Sequence, residues 1–385
     1  ESIKPEYYNY LEQDEAGNNT KYIEVPFTYY LVNEQWELFY NQSIWTGNNV
    51  VHASELKVGD TIYDQDHQEI KIKSIREGQD HIQWTRFTVS GNHSYIADGL
   101  LMHNANRYWV GSAGGNTNDT ANWASADPAS CTGGGASVPG TADIAIFDAD
   151  CDNGALINAS FSIAGIDINS GYTGTVTQND AITVTVGTSD YIQADGTFTG
   201  SAAAIDVNDA FTLSGGTFIS TSGTLSLAGA LTISGTPTFT HNSGTFQFDA
   251  NAATLTPSTV IFNNVSFTSA VVKTIADSQT MTVAGTLTLT DGSINQTTIP
   301  ATGSIAAQGN ITQASTSDGG SGRIEATSTA NQTFTGTATQ TAGLLPIFEI
   351  DKSAGTLTFS GTIRTSNYWS WTAGSLDAGT STVVF

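Results

Sequence analysis

A short triplet, glycine–threonine–apolar, punctuates the C-terminal part of the chain and restricts its fold more than any other feature. It occurs as Gly196-Thr197-Phe198, Gly216-Thr217-Phe218 and Gly244-Thr245-Phe246, and again as Gly223-Thr224-Leu225, Gly285-Thr286-Leu287 and Gly355-Thr356-Leu357. Around it, apolar residues alternate with Thr or Ser, as in Leu225-Ser226-Leu227, Leu231-Thr232-Ile233 and Leu287-Thr288-Leu289. A period of two belongs to a strand with one buried face. Strands this short cannot bury that face alone, so they must stack on copies of themselves. The step from Gly196 to Gly216 to Gly235 is close to 20 residues, and later spacing drifts. The pattern predicts an all-β chain in which residues 157–385 form a β-solenoid of the right-handed β-helix kind. A propeller or sandwich suits such uneven short strands less well. At about 20 residues per coil and about 4.8 Å per stacked strand, the rod is on the order of 50–60 Å long.

Charge excludes several partners. The chain carries 12 Lys+Arg against 36 Asp+Glu, a net −24, so nucleic acid and anionic membranes find no basic face. No apolar run approaches the roughly 20 residues of a membrane span. Basic residues are also unevenly placed: seven of the 12, and five of the six His, lie in residues 1–104. After that point only Arg107, Lys273, Arg323, Lys352 and Arg364 occur. Composition therefore sets a seam at Asn104-Ala105.

The seam coincides with a chemically loaded stretch, Phe87 to Ala105. It reads as a strand, a Gly91-Asn92 turn, a strand Ser94–Ala97, an Asp98-Gly99 turn and an apolar strand Leu100–Met102 ending in His103-Asn104. An Asn side-chain amide can attack its own backbone carbonyl and break the following peptide bond. Intramolecularity favours the attack, while the amide is a poor nucleophile. Two imidazoles assist if His103 serves the scissile carbonyl or leaving nitrogen and His93 reaches Asn104 across paired strands. An isolated His-Asn dipeptide is more often a turn or strand end.

The full run from Thr88-Val89 through His93 to Met102-His103-Asn104 resembles the C-terminal motifs of the Hint (hedgehog/intein) superfamily. Ala53-Ser54-Glu55-Leu56-Lys57-Val58-Gly59-Asp60, followed by Ile70–Ile75, is similar to that family's turn ending in Gly-Asp. The resemblance covers residues 50–104 well and 1–49 poorly. It implies a partial intein-like β domain over residues 1–104. It further implies that Asn104 cyclises, His103 acts as the penultimate His, and His93 supports the same step. There are departures. No Cys precedes Cys131, residues 1–50 hold no Thr-x-x-His, and Arg86 stands where the family often has Asp. Ala105 follows Asn104, where splicing requires Cys, Ser or Thr to accept the acyl group. The resemblance thus implies C-terminal cleavage rather than splicing, as in the bacterial intein-like branch, and at most a single turnover. Starting at Glu1 and stopping within Val383-Val384-Phe385, the chain reads as a fragment at both ends. The expected partner is the N-terminal half of the Hint domain, in cis upstream or in trans.

Residues 1–49 are aromatic and acidic, with strands expected over Tyr22–Val32 and Trp36–Phe39; Trp36 and Trp45 read as core residues. Residues 105–156 form a Trp/Gly-rich leader resembling those of secreted and phage β-helical proteins. Trp109 and Trp123 are expected to cap the open end of the β structure, with stacking on sugar rings as the other reading. Asp148, Asp150 and Asp152 alternate and form a weak Ca²⁺ candidate, since Asn153 and Ala159 depart from the EF-hand pattern. Cys131 and Cys151 allow one disulfide, which spacing alone does not decide. In the rod, Asp206, Asp209, Asp249, Asp277 and Asp291 are scattered, and no carboxylate pair with a basic partner emerges.

The sequence therefore predicts a self-cleaving Hint-like segment joined to an extracellular, cell-surface or virion β-solenoid of adhesin or tail type, with no cofactor and no resident metal. Two other readings stand beside it. One is a structural or adhesive rod with an inactive Hint remnant. The other, weaker, is a carbohydrate-binding or carbohydrate-degrading β-helix whose partner is a surface glycan.

Overall fold

A computed structural model describes residues 11–13, 19–22, 27–39, 43–46, 50–63, 68–80, 94–97, 100–103, 105–298 and 302–385. Among them there is no α-helix; two single-turn 3-10 helices, Ala53–Glu55 and Thr120–Asn122, accompany a chain of strands. The chain divides into two compact units, residues 1–107 with 125–127, and residues 108–124 with 128–385.

The first unit is antiparallel. Its centre is the strand Phe27–Val32, paired with Trp36–Phe39 on one side and Ile75–Asp80 on the other. Asn33 and Glu34 turn the hairpin in the left-handed region, at φ +53° and +56°; Asn is among the few residues that tolerate it. The Asn33 amide donates to Lys71 O at 3.0 Å and accepts from the Lys73 and Ser74 amides at 2.6 and 3.2 Å. One side chain thereby fixes the bend between the strands Glu69–Lys71 and Ile75–Asp80. Val32, Trp36, Leu38, Ile44, Leu56, Ile62 and Ile72 form the core. The Gly59-Asp60 segment is a closed turn. Asp60 accepts from the Lys57 amide at 2.8 Å, Gly59 has φ +103° and donates to Ile72 O at 2.8 Å. A four-stranded sheet runs in the order Ser94–Ala97, Leu100–His103, Ser43–Trp45, Val50–His52.

The second unit is a β-solenoid of about 11 turns. Each coil contributes a strand to each of three faces. The first face begins with Asp143–Phe147 and Gly165–Ile168, and the second with Phe161–Ile163 and Val184–Val186. The third begins with Gly115–Asn116, Ala155–Ile157 and Thr175–Gln178. All of these ladders are parallel. Along the second face Phe161, Val184, Ile205, Leu225, Phe246 and Val265 are successive register partners, and the column continues to Phe334 and Phe359. Every one of them is buried, and each contributes about 1.5–3 kcal/mol relative to exposure. Their neighbours Ser162, Thr185, Ser226 and Ser266 face outward. The alternation visible in the sequence is this inside–outside division.

Corners explain the glycines. Gly196, Gly216 and Gly235 take φ of +61°, +66° and +65°. The turns stack directly, with Thr217 N donating to Gly196 O at 2.8 Å and Thr238 N to Gly216 O at 2.9 Å. A Cβ on Gly216 would lie 2.4 Å from Gly196 O. The triplets themselves fall on two faces. Thr197 and Thr217 are partners on the third face, whereas Thr224 and Thr245 are partners on the second. Register partners stand 19 residues apart at Phe246–Val265 and 25 apart at Ile166–Tyr191, which is the drift seen in the sequence. The third face is interrupted once: Thr238–Thr240 ends a six-stranded ladder, and Ile261–Phe262 begins the next.

Candidate functional site

The hairpin of Ser94–Ala97 and Leu100–His103 is antiparallel, with Ser94 opposite His103, Tyr95 opposite Met102 and Ala97 opposite Leu100. Its inner strand is held by Met102 pairing with Ile44, which is fully buried. The strand Ala105–Trp109 follows one residue later. His93 and Asn104, two of the three residues expected to carry the chemistry, lie outside the described residues, as do Phe87-Thr88-Val89 and the Asp98-Gly99 turn. His103 closes its strand and Ala105 opens the next.

At the leader, both tryptophans are interior. Trp109 and Trp123 are paired antiparallel, meet edge to face at 5.2 Å between ring centres, and both pack on Phe147. Their indole N–H groups donate to Asn153 O at 2.9 Å and Thr117 O at 2.8 Å. Rings so enclosed cover the first coils and offer no platform for sugar. Cys131 and Cys151 form a disulfide with a Cα–Cα distance of 4.7 Å. The three aspartates do not form one site. Asp148 accepts from the Asp150 amide at 3.1 Å, and their carboxylates approach within 4.8 Å. Asp152 instead accepts from the Thr173 amide at 2.7 Å, in the turn of the next coil. Burial, with the Asp152 charge adding to it, pushes the Tyr172 phenol up.

Farther along the rod, the structure supplies what the sequence reading left out, a carboxylate pair with a basic partner. Glu325 and Glu349 are register partners on adjacent strands of the third face. Arg323 reaches both, at 3.3 Å to Glu325 and 3.0 Å to Glu349. Burial raises the Glu325 carboxyl above its ordinary range, with the Glu349 and Asp351 charges adding to it and Arg323 opposing. A hydrogen bond from Thr372, 2.6 Å from Glu349, and the Arg323 contacts hold Glu349 below that range. Two carboxyls with pKa values driven apart suit an acid and a base. They are 24 residues apart in the chain, and only coil stacking brings them together.

Two lysines point into the rod. Lys273 donates to Ala228 O and Asn251 O and lies 6.0 Å from the Phe248 ring centre. Burial lowers its pKa to about 8 against the opposing attraction of Asp249. Lys352 donates to Ser328 O, Ala330 O and Gln332 Oε1 at 2.7–2.9 Å, and burial lowers its pKa as well. Their spacing in the sequence gave no sign of either.

No helix among the described residues is long and apolar enough to cross a membrane. Comparison of the chain with family models, with curated proteins and with solved structures returns no match.

Proposed function

We propose that the chain is self-processing: its first unit breaks the Asn104–Ala105 bond and releases the β-solenoid as a surface rod. The observation that carries this reading is the antiparallel pairing of Ser94 with His103. In the sequence His93 immediately precedes Ser94 and Asn104 immediately follows His103, so the residues expected to carry the chemistry adjoin this pair. The Gly59-Asp60 turn, closed by its own aspartate, is in keeping with the Hint resemblance. In the reaction, Asn104 Nδ2 attacks the Asn104 carbonyl carbon and the bond from that carbon to Ala105 N breaks. The Nδ2 proton ends on the departing amine, leaving a C-terminal succinimide and a new N-terminus at Ala105. Intramolecular attack supplies the entropic advantage, and His103 and His93 supply proton transfer. Ala105 has no nucleophile to accept the acyl group, so the outcome is cleavage. A disulfide in the second unit fits an oxidising, extracellular setting for the rod.

The test is intact mass of the full-length gene product over days at neutral pH, beside Asn104→Ala. A fragment beginning at Ala105, absent from the variant, supports self-cleavage; a single unchanged mass in both makes the rod the whole function. A second reading, glycan hydrolysis by the rod, is favoured by the Glu325–Glu349 pair alone. Sugar release that is lost in both Glu325→Gln and Glu349→Gln would establish it.

A further inference from the structure

The bond expected to break does not lie on the border between the two compact units. The first unit takes in residues 105–107 and 125–127 as well as those before them, and the second begins at Tyr108. The border therefore falls inside the strand Ala105–Trp109, three residues beyond the Asn104–Ala105 bond. Tyr108 and Trp109 pair with Ala124 and Trp123 in the second unit. The chain on either side of that pair, 105–107 leading in and 125–127 leading out, belongs to the first. A cut after Asn104 thus divides the first unit and leaves two short segments of it on the rod fragment.

Arg107 ties these segments to the rest of the first unit. It is the one basic residue between Arg86 and Lys273, and its side chain is 1% exposed. Charged side chains are almost never enclosed so fully unless they are paired. Its guanidinium lies 3.7 Å from the Glu55 carboxylate, and Nη1 donates to Asn106 O at 3.2 Å. Glu55 ends the single-turn helix Ala53–Glu55, and both Ala53 and the following Leu56 belong to the core of the first unit. The carboxylate is therefore carried on backbone that the core itself fixes. Glu55 precedes the cut and Arg107 follows it, so this ion pair joins the two products. An enclosed arginine is the kind of anchor that dominates protein interfaces, and burial of one partner limits its screening by salt.

We propose that after self-cleavage the two products stay joined, the rod fragment held by its own new N-terminal segment with Arg107 on Glu55 as the anchor. The inference rests on the self-processing reading and adds a second step to it. The bond is cut first, and the rod leaves only when Arg107 is withdrawn. Before the cut the pair closes within one chain. Afterwards it is an association between two chains, which dilution opposes. Cleavage and release thereby become separate events, and the rod is retained without a covalent link until the second occurs.

The test makes the nick without self-cleavage. The full chain carries Asn104→Ala and, between that residue and Ala105, a site-specific protease sequence flanked by Gly-Ser. It is cut and then passed through size exclusion over a dilution series. Glu55→Gln removes the carboxylate while keeping its shape, and Glu77→Gln removes the same charge from an exposed position of the first unit. Matched thermal melts of the uncut chains establish that each variant is folded. The expected result is that the parent's two fragments, separate on a denaturing gel, travel as one species at about 1 μM. Glu55→Gln should then come apart at a concentration at least about tenfold higher than the parent does, and Glu77→Gln at the parent's concentration. Fragments that separate as soon as the chain is cut overturn the proposal. So does equal dissociation of Glu55→Gln and Glu77→Gln. The nick owes nothing to Asn104, so failure of self-cleavage and failure of retention are told apart.

Discussion

Lys273 is the side chain whose surroundings differ most from what its type prefers. Inside the rod it gives up its proton at about pH 8, whereas the unfolded chain holds it to about 10.5. Between those values the unfolded state binds more protons, so the free energy of unfolding rises with pH. Below pH 8 both states are protonated, and the folded rod bears the full cost of a buried ammonium. Thermal midpoints taken at steps from pH 7.5 to 9.5 are expected to climb in the parent and to stay flatter in Lys273→Met. The window stops short of 10 because burial raises the Tyr172 and Tyr191 phenols, and these reverse the slope once unfolded tyrosines ionise. A parent midpoint as flat over the window as that of Lys273→Met would mean that Lys273 keeps its charge by way of its two carbonyl partners.

Strands and columns were the part of the structure most open to reading in advance. Alternation marks a strand wherever one face is buried, so the runs at Leu225–Leu227, Leu231–Ile233 and Leu287–Leu289 are all found in strands. The faces were not legible, because strands of every face share one grammar and only register separates Gly216-Thr217-Phe218 from Gly244-Thr245-Phe246. The Glu325–Glu349 pair was hidden for the same reason: partners a coil apart leave no local signal. Asn33 was hidden differently, as a turn residue whose second task, binding the segment Lys71–Ser74, is made by a fold-back the sequence does not display. Within the aromatic column Phe218 is the central ring, packed on Phe198 and Phe239 and edge-on to Tyr191 and Phe211. Phe218→Ala should cost about 3–5 kcal/mol by chemical denaturation, and a loss below about 1 kcal/mol would mean that the coils collapse around the gap. Reduction of the Cys131–Cys151 bridge should cost about 2–4 kcal/mol. A melt unchanged by reductant would show that the enclosed tryptophans hold the leader unaided.

The rod as a whole is a one-dimensional stack in which each coil is stabilised by its two neighbours. Its weakest junction is expected where the third ladder breaks, between Thr238–Thr240 and Ile261–Phe262, since two faces bridge there instead of three. Amide exchange should be faster for Phe239 than for Phe198 and Phe218, and equal protection across all three would show the break to be closed in solution. The unequal coils bear on assembly. A stack of identical coils has many near-equal alignments, and a chain refolding from an extended state can settle one step out of place. Here 19-residue and 25-residue steps lie in the same rod, so a coil set against the wrong neighbour leaves slack on one side and tension on the other. Irregular length thus acts as a combination lock, and a molecule with so plain an alphabet still has one way to close.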